Sequence, residues 1–281
     1  MTAQILDGKK MALQVREELA AEIKKTGATP RLAVIWIGDN EASAIYIRNK
    51  QAAAAAVGIE SEVFHLKSDI CESEVITLIE RLNMDDTVNG IIVQLPVSEH
   101  LNEHHILEAV RQDKDVDAFK QIMSGALWQN KAPWVSATPQ GVLCLLKSFC
   151  EDLTGKHAVI IGRSNIVGKP MAALLLNEDC TVTITHSKTV DLQDIVKKAD
   201  IVVAACGVPH LVKGDWIKSG AIVIDVGISK VEGKIYGDIA FDEVIKKAAA
   251  ITPVPGGVGP MTVAMLLKNT YAAYLKQKAN L

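Results

Sequence analysis

Apolar residues along this chain alternate between two patterns. Residues 32–37, 90–94, 158–161, 201–205 and 221–225 are short, nearly unbroken apolar runs of the length of a buried strand, and 62–66 and 181–185 add two more strand-like runs. Between them, apolar positions recur every three to four residues and predict helices over 11–25, 41–57, 74–82, 141–150 and 170–176. The 41–57 helix is preceded by Gly38-Asp39-Asn40, and Gly58 stands where it should stop. Strand alternating with helix, with strands apolar throughout, predicts an α/β protein whose parallel sheets carry helices on both faces.

That alternation suits either one eight-stranded barrel or two open sheets. Residues 113–139 lack periodicity and contain Gly125, Pro133 and Pro139, which reads as a crossing between domains. A glycine-rich loop follows the first strand after the crossing, as in a doubly wound sheet. We therefore expect two domains, 1–138 and 139–263, the second a Rossmann-like doubly wound parallel sheet.

Composition narrows the partners. With 49% hydrophobic and 22% charged residues the chain can bury a large core, and 4% aromatic residues make that core aliphatic. A formal charge of −3 gives no basic surface for nucleic acid or anionic membrane. No apolar run approaches the roughly 18 residues of a membrane span, and Asp7, Lys9 and Lys10 stand where a signal peptide would be apolar. The five cysteines form no Cys-x-x-Cys pair, which reads as reduced thiols in a cytoplasmic protein without a cysteine-bound metal. His100, His104 and His105 beside Glu99 and Glu103 do not follow His-Glu-x-x-His, so they read as a solvated helix start.

Two places carry chemistry. The strand ending at Ile161 runs into Gly162-Arg163-Ser164-Asn165-Ile166-Val167-Gly168-Lys169-Pro170. Glycines there let a pyrophosphate approach the backbone, and a helix N-terminus presents oriented N–H groups to it. A site for NAD would place Asp or Glu at the end of the next strand; here 181–185 ends in His186-Ser187-Lys188. Arg163 with Ser187 suits a 2′-phosphate, so NADP is the expected cofactor, while Lys188 reads equally well as a solvated lysine. The second place is Ser43-Ala44-Ile45-Tyr46-Ile47-Arg48-Asn49-Lys50. Tyr46 and Lys50 share one helical face, and a lysine between low-dielectric walls has its pKa lowered toward acid–base use. Gln94 closes an apolar strand at its carboxyl end, and Asp115 or Asp117 nearby suits a polar ring edge. Short-chain dehydrogenases also carry Tyr-x-x-x-Lys, but after their nucleotide loop; here the order is reversed.

These segments, together with Val93-Gln94-Leu95-Pro96, Lys114-Asp115-Val116-Asp117, His186-Ser187-Lys188-Thr189 and the run from Thr252 through Pro255-Gly256-Gly257-Val258-Gly259-Pro260 to Thr262, make the chain resemble the bifunctional methylenetetrahydrofolate dehydrogenase/cyclohydrolase family over nearly its whole length. The resemblance implies oxidation of 5,10-methylene-tetrahydrofolate by NADP, then hydrolysis of the methenyl product to 10-formyl-tetrahydrofolate, by a homodimer. It implies that Lys50 is catalytic, Gln94 tunes it, Tyr46 stacks on the folate and Asp117 binds the pterin. Ser43, Val93, Leu95 and Pro255 to Pro260 join them around the substrate. It implies cofactor contacts from Gly162, Arg163, Ser164, Ile166, Val167, Gly168, Ser187 and Ile228, no metal, and a C-terminal helix, 264–281, that completes the first domain. Ala118, Ser98 and Ala137 stand where the family usually has Gly, Pro and Cys, so folate affinity is where this chain should differ. A silent folate- or NADP-binding protein, or an NADP dehydrogenase for another small acid, are the competing readings; the first gives no turnover and the second turns over without folate.

Overall fold

The computed structural model describes residues 2–279. Residues 1, 280 and 281, included in the domain and helix ranges expected above, lie outside the described residues. The chain opens with β1 (Gln4–Ile5) and α1 (Gly8–Thr26), followed by β2 (Arg31–Ile37), α2 (Glu41–Val57), β3 (Glu60–Leu66), α3 (Glu72–Met84) and β4 (Gly90–Val93). Three helices, α4 (Glu103–Ala109), α5 (Gln121–Trp128) and α6 (Ala137–Phe149), lead to β5 (His157–Ile161), α7 (Gly168–Asn177), β6 (Thr181–Thr185), α8 (Leu192–Val196) and β7 (Ile201–Ala204). After a 3₁₀ turn at Gly214–Trp216 come β8 (Ile222–Asp225), β9 (Ser229–Val231), β10 (Lys234–Tyr236), α9 (Phe241–Val244), β11 (Ala250–Ile251) and α10 (Val258–Ala279).

Two open parallel sheets result. The smaller has the order β3-β2-β4, and all three strands run parallel. Its core is aliphatic: Ala33, Ile35 and Ile37 from β2 pack with Val75, Ile79 and Leu82 from α3 and with Ile91 and Ile106. Full burial of each large side chain in such a layer stabilises by about 1.5–3 kcal/mol. The larger sheet has the order β1-β11-β8-β7-β5-β6, again parallel, with Val159, Ile161, Val202 and Val223 buried beneath helices. β9 and β10 form a separate antiparallel hairpin that the sequence pattern did not single out.

The chain divides into two compact units, each built from three pieces. One comprises the residues up to Ala12, 127–131 and 138–262; the other comprises 13–126, 132–137 and the residues from Val263 onward. The first boundary expected above therefore needs correction. β1 pairs with β11, Gln4 opposite Ala250, so the first dozen residues belong to the larger sheet. A two-residue strand has no periodicity to read, which is why the sequence hides it. Residues 113–139 hold α5 and the start of α6. The last helix begins at Val258, earlier than expected, because Pro260 falls in its first turn, where a missing N–H costs nothing.

Candidate active site and cofactor loop

The lysine site lies within the unit of the smaller sheet. Asn40 caps α2, its Oδ1 accepting from the Ser43 N–H at 3.1 Å, and Gly58 ends the helix in the left-handed region at φ 84°. This fixes where Ser43, Tyr46 and Lys50 fall on the helix: Ser43 is buried in the first turn, Tyr46 is 39% exposed, and Lys50 follows one turn later. β2 fixes the facing group, since the Gln94 N–H donates to Ile35 O at 2.8 Å and holds that residue just past β4. Lys50 Nζ donates to Gln94 Oε1 at 3.0 Å, and Gln94 Nε2 donates to Leu95 O at 2.8 Å. The second bond turns the amide so that its oxygen meets the amine. Val93 beside it is buried.

Burial sets the electrostatics. Withdrawal from water pushes the Lys50 amine below the usual lysine range, with the Asp117 carboxylate pulling the other way. The same withdrawal pushes Asp117 up, opposed by Lys50. Tyr46 is raised by partial burial, so its phenol keeps its proton. Each member of the pair is thus drawn toward its neutral form, the direction that suits a group that gives and takes a proton.

Asp115 and Asp117, equivalent in the sequence, separate here. Asp115 is 4% exposed; its carboxylate accepts from the Lys120 N–H at 3.0 Å and its carbonyl from Trp134 Nε1 at 2.7 Å. Burial raises its pKa to about 6. Its neighbour Lys114, fully buried, donates to Leu82 O and Asp85 O at 2.9 and 2.7 Å, closing the end of α3. Sequence reading missed both structural roles, because a Lys-Asp pair in a polar stretch reads as surface. Ala118, next in line, sits at φ 57°, where Gly is at ease and Ala is strained.

The cofactor loop belongs to the other unit. Gly162 adopts φ 127°, and a Cβ there would strike Ala205 O; a Cβ on Gly168 would strike Gly162 O. Glycine is the residue that fits at both positions. Ser164 Oγ accepts from the Val167 and Gly168 N–H groups at 3.2 and 3.3 Å, shaping the start of α7. Arg163, Ser164, Ser187 and Lys188 are exposed, Ile166 and Val167 partly so, and Ile228 is 49% exposed. No carboxylate stands between Thr185 and Thr189, where the turn is held by Thr189 Oγ1 and His186 Nδ1. The loop therefore fits a dinucleotide with a 2′-phosphate.

Pro255 to Pro260 lies in this same unit. Gly256 O accepts from the Lys9 N–H at 3.1 Å, Gly257 packs on Gly8, and Val258 to Pro260 open α10. Ser98 and Ala137 sit in a turn and at the head of α6.

Among the described residues, no three His, Cys, Asp or Glu side chains converge on a metal-sized site, and none of the five cysteines forms a disulfide. His100, His104 and His105 have separate partners: Ile70 O, Gln121 and Glu72. No helix among the described residues is long and apolar enough to cross a membrane.

Residues 6–117 match the model of the tetrahydrofolate dehydrogenase/cyclohydrolase catalytic domain, and 136–278 that of the NAD(P)-binding domain of the same family. The chain belongs to that family. A member from Streptococcus pyogenes serotype M5 (strain Manfredo), the bifunctional protein FolD, is 50% identical over 278 residues, 97% of this chain and 98% of its own. The crystal structure of FolD, methylenetetrahydrofolate dehydrogenase/cyclohydrolase from Campylobacter jejuni, is 47% identical with a TM-score of 0.94, covering 99% of this chain and 100% of its own. The FolD of Trypanosoma brucei, solved with NADP cofactor and inhibitor, is 39% identical with a TM-score of 0.93, covering 98% of each chain. Lys50 and Gln94 fall within the catalytic-domain match and the Gly162 loop within the NAD(P)-binding match.

Proposed function

We propose that this chain oxidises 5,10-methylene-tetrahydrofolate to the methenyl form with NADP and hydrolyses that product to 10-formyl-tetrahydrofolate. The observation that carries the reading is the 3.0 Å bond between Lys50 Nζ and Gln94 Oε1. In hydrolysis, water adds to the cationic methenyl carbon and must lose a proton, and the amine of Lys50, held below its usual pKa by burial, takes it. The bond from that carbon to N5 then breaks, N5 gains the hydroxyl proton, and the formyl group stays on N10. Gln94 orients the amine without adding a charge. The Tyr46 ring stacks on the folate, and Asp117 accepts from the pterin, with Ser43, Val93 and Leu95 lining the same site and Pro255 to Pro260 supplying backbone to the substrate.

For the oxidation, Gly162 to Gly168 with Ile228 would hold NADP, and Arg163 and Ser187 would bind its 2′-phosphate. Bound there, NADP supplies the hydride acceptor, while the protein fixes geometry. The unit of 138–262 is then the cofactor domain and that of 13–126 the catalytic one. The absence of a disulfide among the five cysteines supports a cytoplasmic setting, and the family resemblance supports a homodimer. The test is the absorbance of methenyl-tetrahydrofolate followed with NADP and with NAD. Faster formation with NADP, and decay of added methenyl-tetrahydrofolate without cofactor, are expected; folate-independent NADP reduction, or no turnover, would overturn the reading.

A further inference from the structure

Beyond the residues already assigned, the larger sheet holds two buried carboxylates at its carboxyl edge. Asp225 and Asp238 are 4% and 0% exposed. Asp225 Oδ1 accepts from the N–H groups of Gly227 and Asp238 at 3.0 and 2.9 Å, and Oδ2 from Ile239 at 3.0 Å. Asp238 Oδ2 accepts from Cys206 and Gly207 at 2.7 and 3.1 Å, while its Oδ1 is buried without a partner. The packing is reciprocal: a Cβ on Gly227 would strike the Asp238 carboxyl, and a Cβ on Gly237 would strike that of Asp225. Each carboxylate lies flat against the glycine beside the other. Ser229 Oγ donates to Gly207 O at 3.3 Å, so the loops after β7 and β8 are joined directly as well.

These bonds converge on one place. The strand order sets β5 between β6 and β7, so the chain reverses direction across the sheet between β5 and β7, and the crevice at such a reversal is where α/β sheets bind ligands. The loop after β5 starts at Gly162, which packs on Ala205 of the loop after β7. The Cys206 and Gly207 amides that Asp238 holds are the next two residues of that loop.

We infer that Asp238, seated by Asp225, is a positioning residue for the dinucleotide: it fixes the 205–208 loop as one wall of the crevice before cofactor arrives. The inference rests on the NADP reading above. Without the carboxylate, the part-buried Cys206 and Gly207 N–H groups lose their acceptor and the wall relaxes into the space the dinucleotide needs.

The experiment is NADP titration by calorimetry on the whole chain, with cofactor-free hydrolysis of methenyl-tetrahydrofolate as a parallel readout. In Asp238→Ala, NADP affinity should fall by about tenfold or more, with hydrolysis reduced far less. Asp238→Asn keeps an oxygen for Cys206 and Gly207 and puts its NH₂ at the unpartnered position, so it should restore binding. NADP binding by Asp238→Ala at wild-type strength, or an equal fall in both readouts, would overturn the inference. Should Asp238→Ala not fold, amide exchange in the cofactor-free wild type decides: Cys206 and Gly207 should be protected, and exchange at the rate of an open loop would overturn it. Failure of the wild type to bind NADP at all would instead refute the cofactor reading.

Discussion

The two sheets bury ionisable groups in opposite ways. Around Lys50 the charges are of opposite sign and lightly held: one amide oxygen accepts from the amine, and Asp117 acts on it through space. Around Asp225 the charges are of like sign and heavily held, with five backbone N–H groups divided between two carboxylates. Burial moves pKa values in both places, pushing Lys50 down and Asp225 up to about 7. A group left with few bonds can give or take a proton without disturbing the backbone. A group saturated by N–H donors cannot, and its ionisation is coupled to the fold. The lysine site is therefore built for turnover and the carboxylate pair for shape.

The strongest way to break that contrast is at the amine. Lys50→Met keeps an apolar stem and removes the proton carrier, so hydrolysis should fall by at least the ~10² of a lost acid–base group while the protein still folds. Methenyl-tetrahydrofolate decay and a denaturant melt on the same preparation check both halves; a fold lost along with activity would mean that Lys50 is structural. The converse variant is Asp225→Asn. Its NH₂ cannot accept from the Ile239 N–H, and stability should drop by about 1–3 kcal/mol. The same variant sharpens the pH argument. Because the folded pKa of Asp225 stands at about 7, above the 3.8 of a free carboxyl, the folded state holds a proton that the unfolded chain has released. Its contribution is full below the unfolded pKa and is lost as pH rises through the folded one. Urea midpoints should fall from about pH 4 to about pH 7 in the wild type and less steeply in Asp225→Asn; parallel curves would refute the coupling.

Gln94→Glu has a smaller effect, on position rather than size. A carboxylate at 3.0 Å from Lys50 Nζ favours the ammonium and raises its pKa, opposing the lowering that burial causes. The limb of the hydrolysis profile that needs neutral amine should move to higher pH, and an unmoved limb would separate Lys50 from the proton transfer. Least of all, Ala118→Gly relieves an alanine at φ 57°, and stability should rise by no more than about 1 kcal/mol. A loss would show that the buried methyl outweighs the strain.

What the sequence made legible follows the range of the forces involved. α2 announces itself through Asn40, its helical period and Gly58, all local, and the parallel strands through unbroken apolar runs. The Lys50–Gln94 contact was readable because a strand end and a helical face are each local features that the fold then joins. The rest depends on partners distant in the chain. Asp115 differs from Asp117 only because Lys120 and Trp134 reach it. Asp238 reads as a turn residue until Cys206 and Gly207 come to it, and the one sequence trace of that pairing is the mirrored order Asp225-x-Gly227 and Gly237-Asp238.

The pairing of β1 with β11 has a consequence for how the molecule comes into being. Gln4 and Ile5 leave the ribosome 246 residues ahead of Ala250 and Ile251, the strand they join. At synthesis rates of about 5–20 residues per second, that is a wait of roughly 10–50 s. Throughout it, the edge of the larger sheet cannot close, and the other unit also lacks its last helix segment, from Val263 onward. Neither unit can close before its distant piece has been made, Ala250 and Ile251 for one and the residues from Val263 onward for the other.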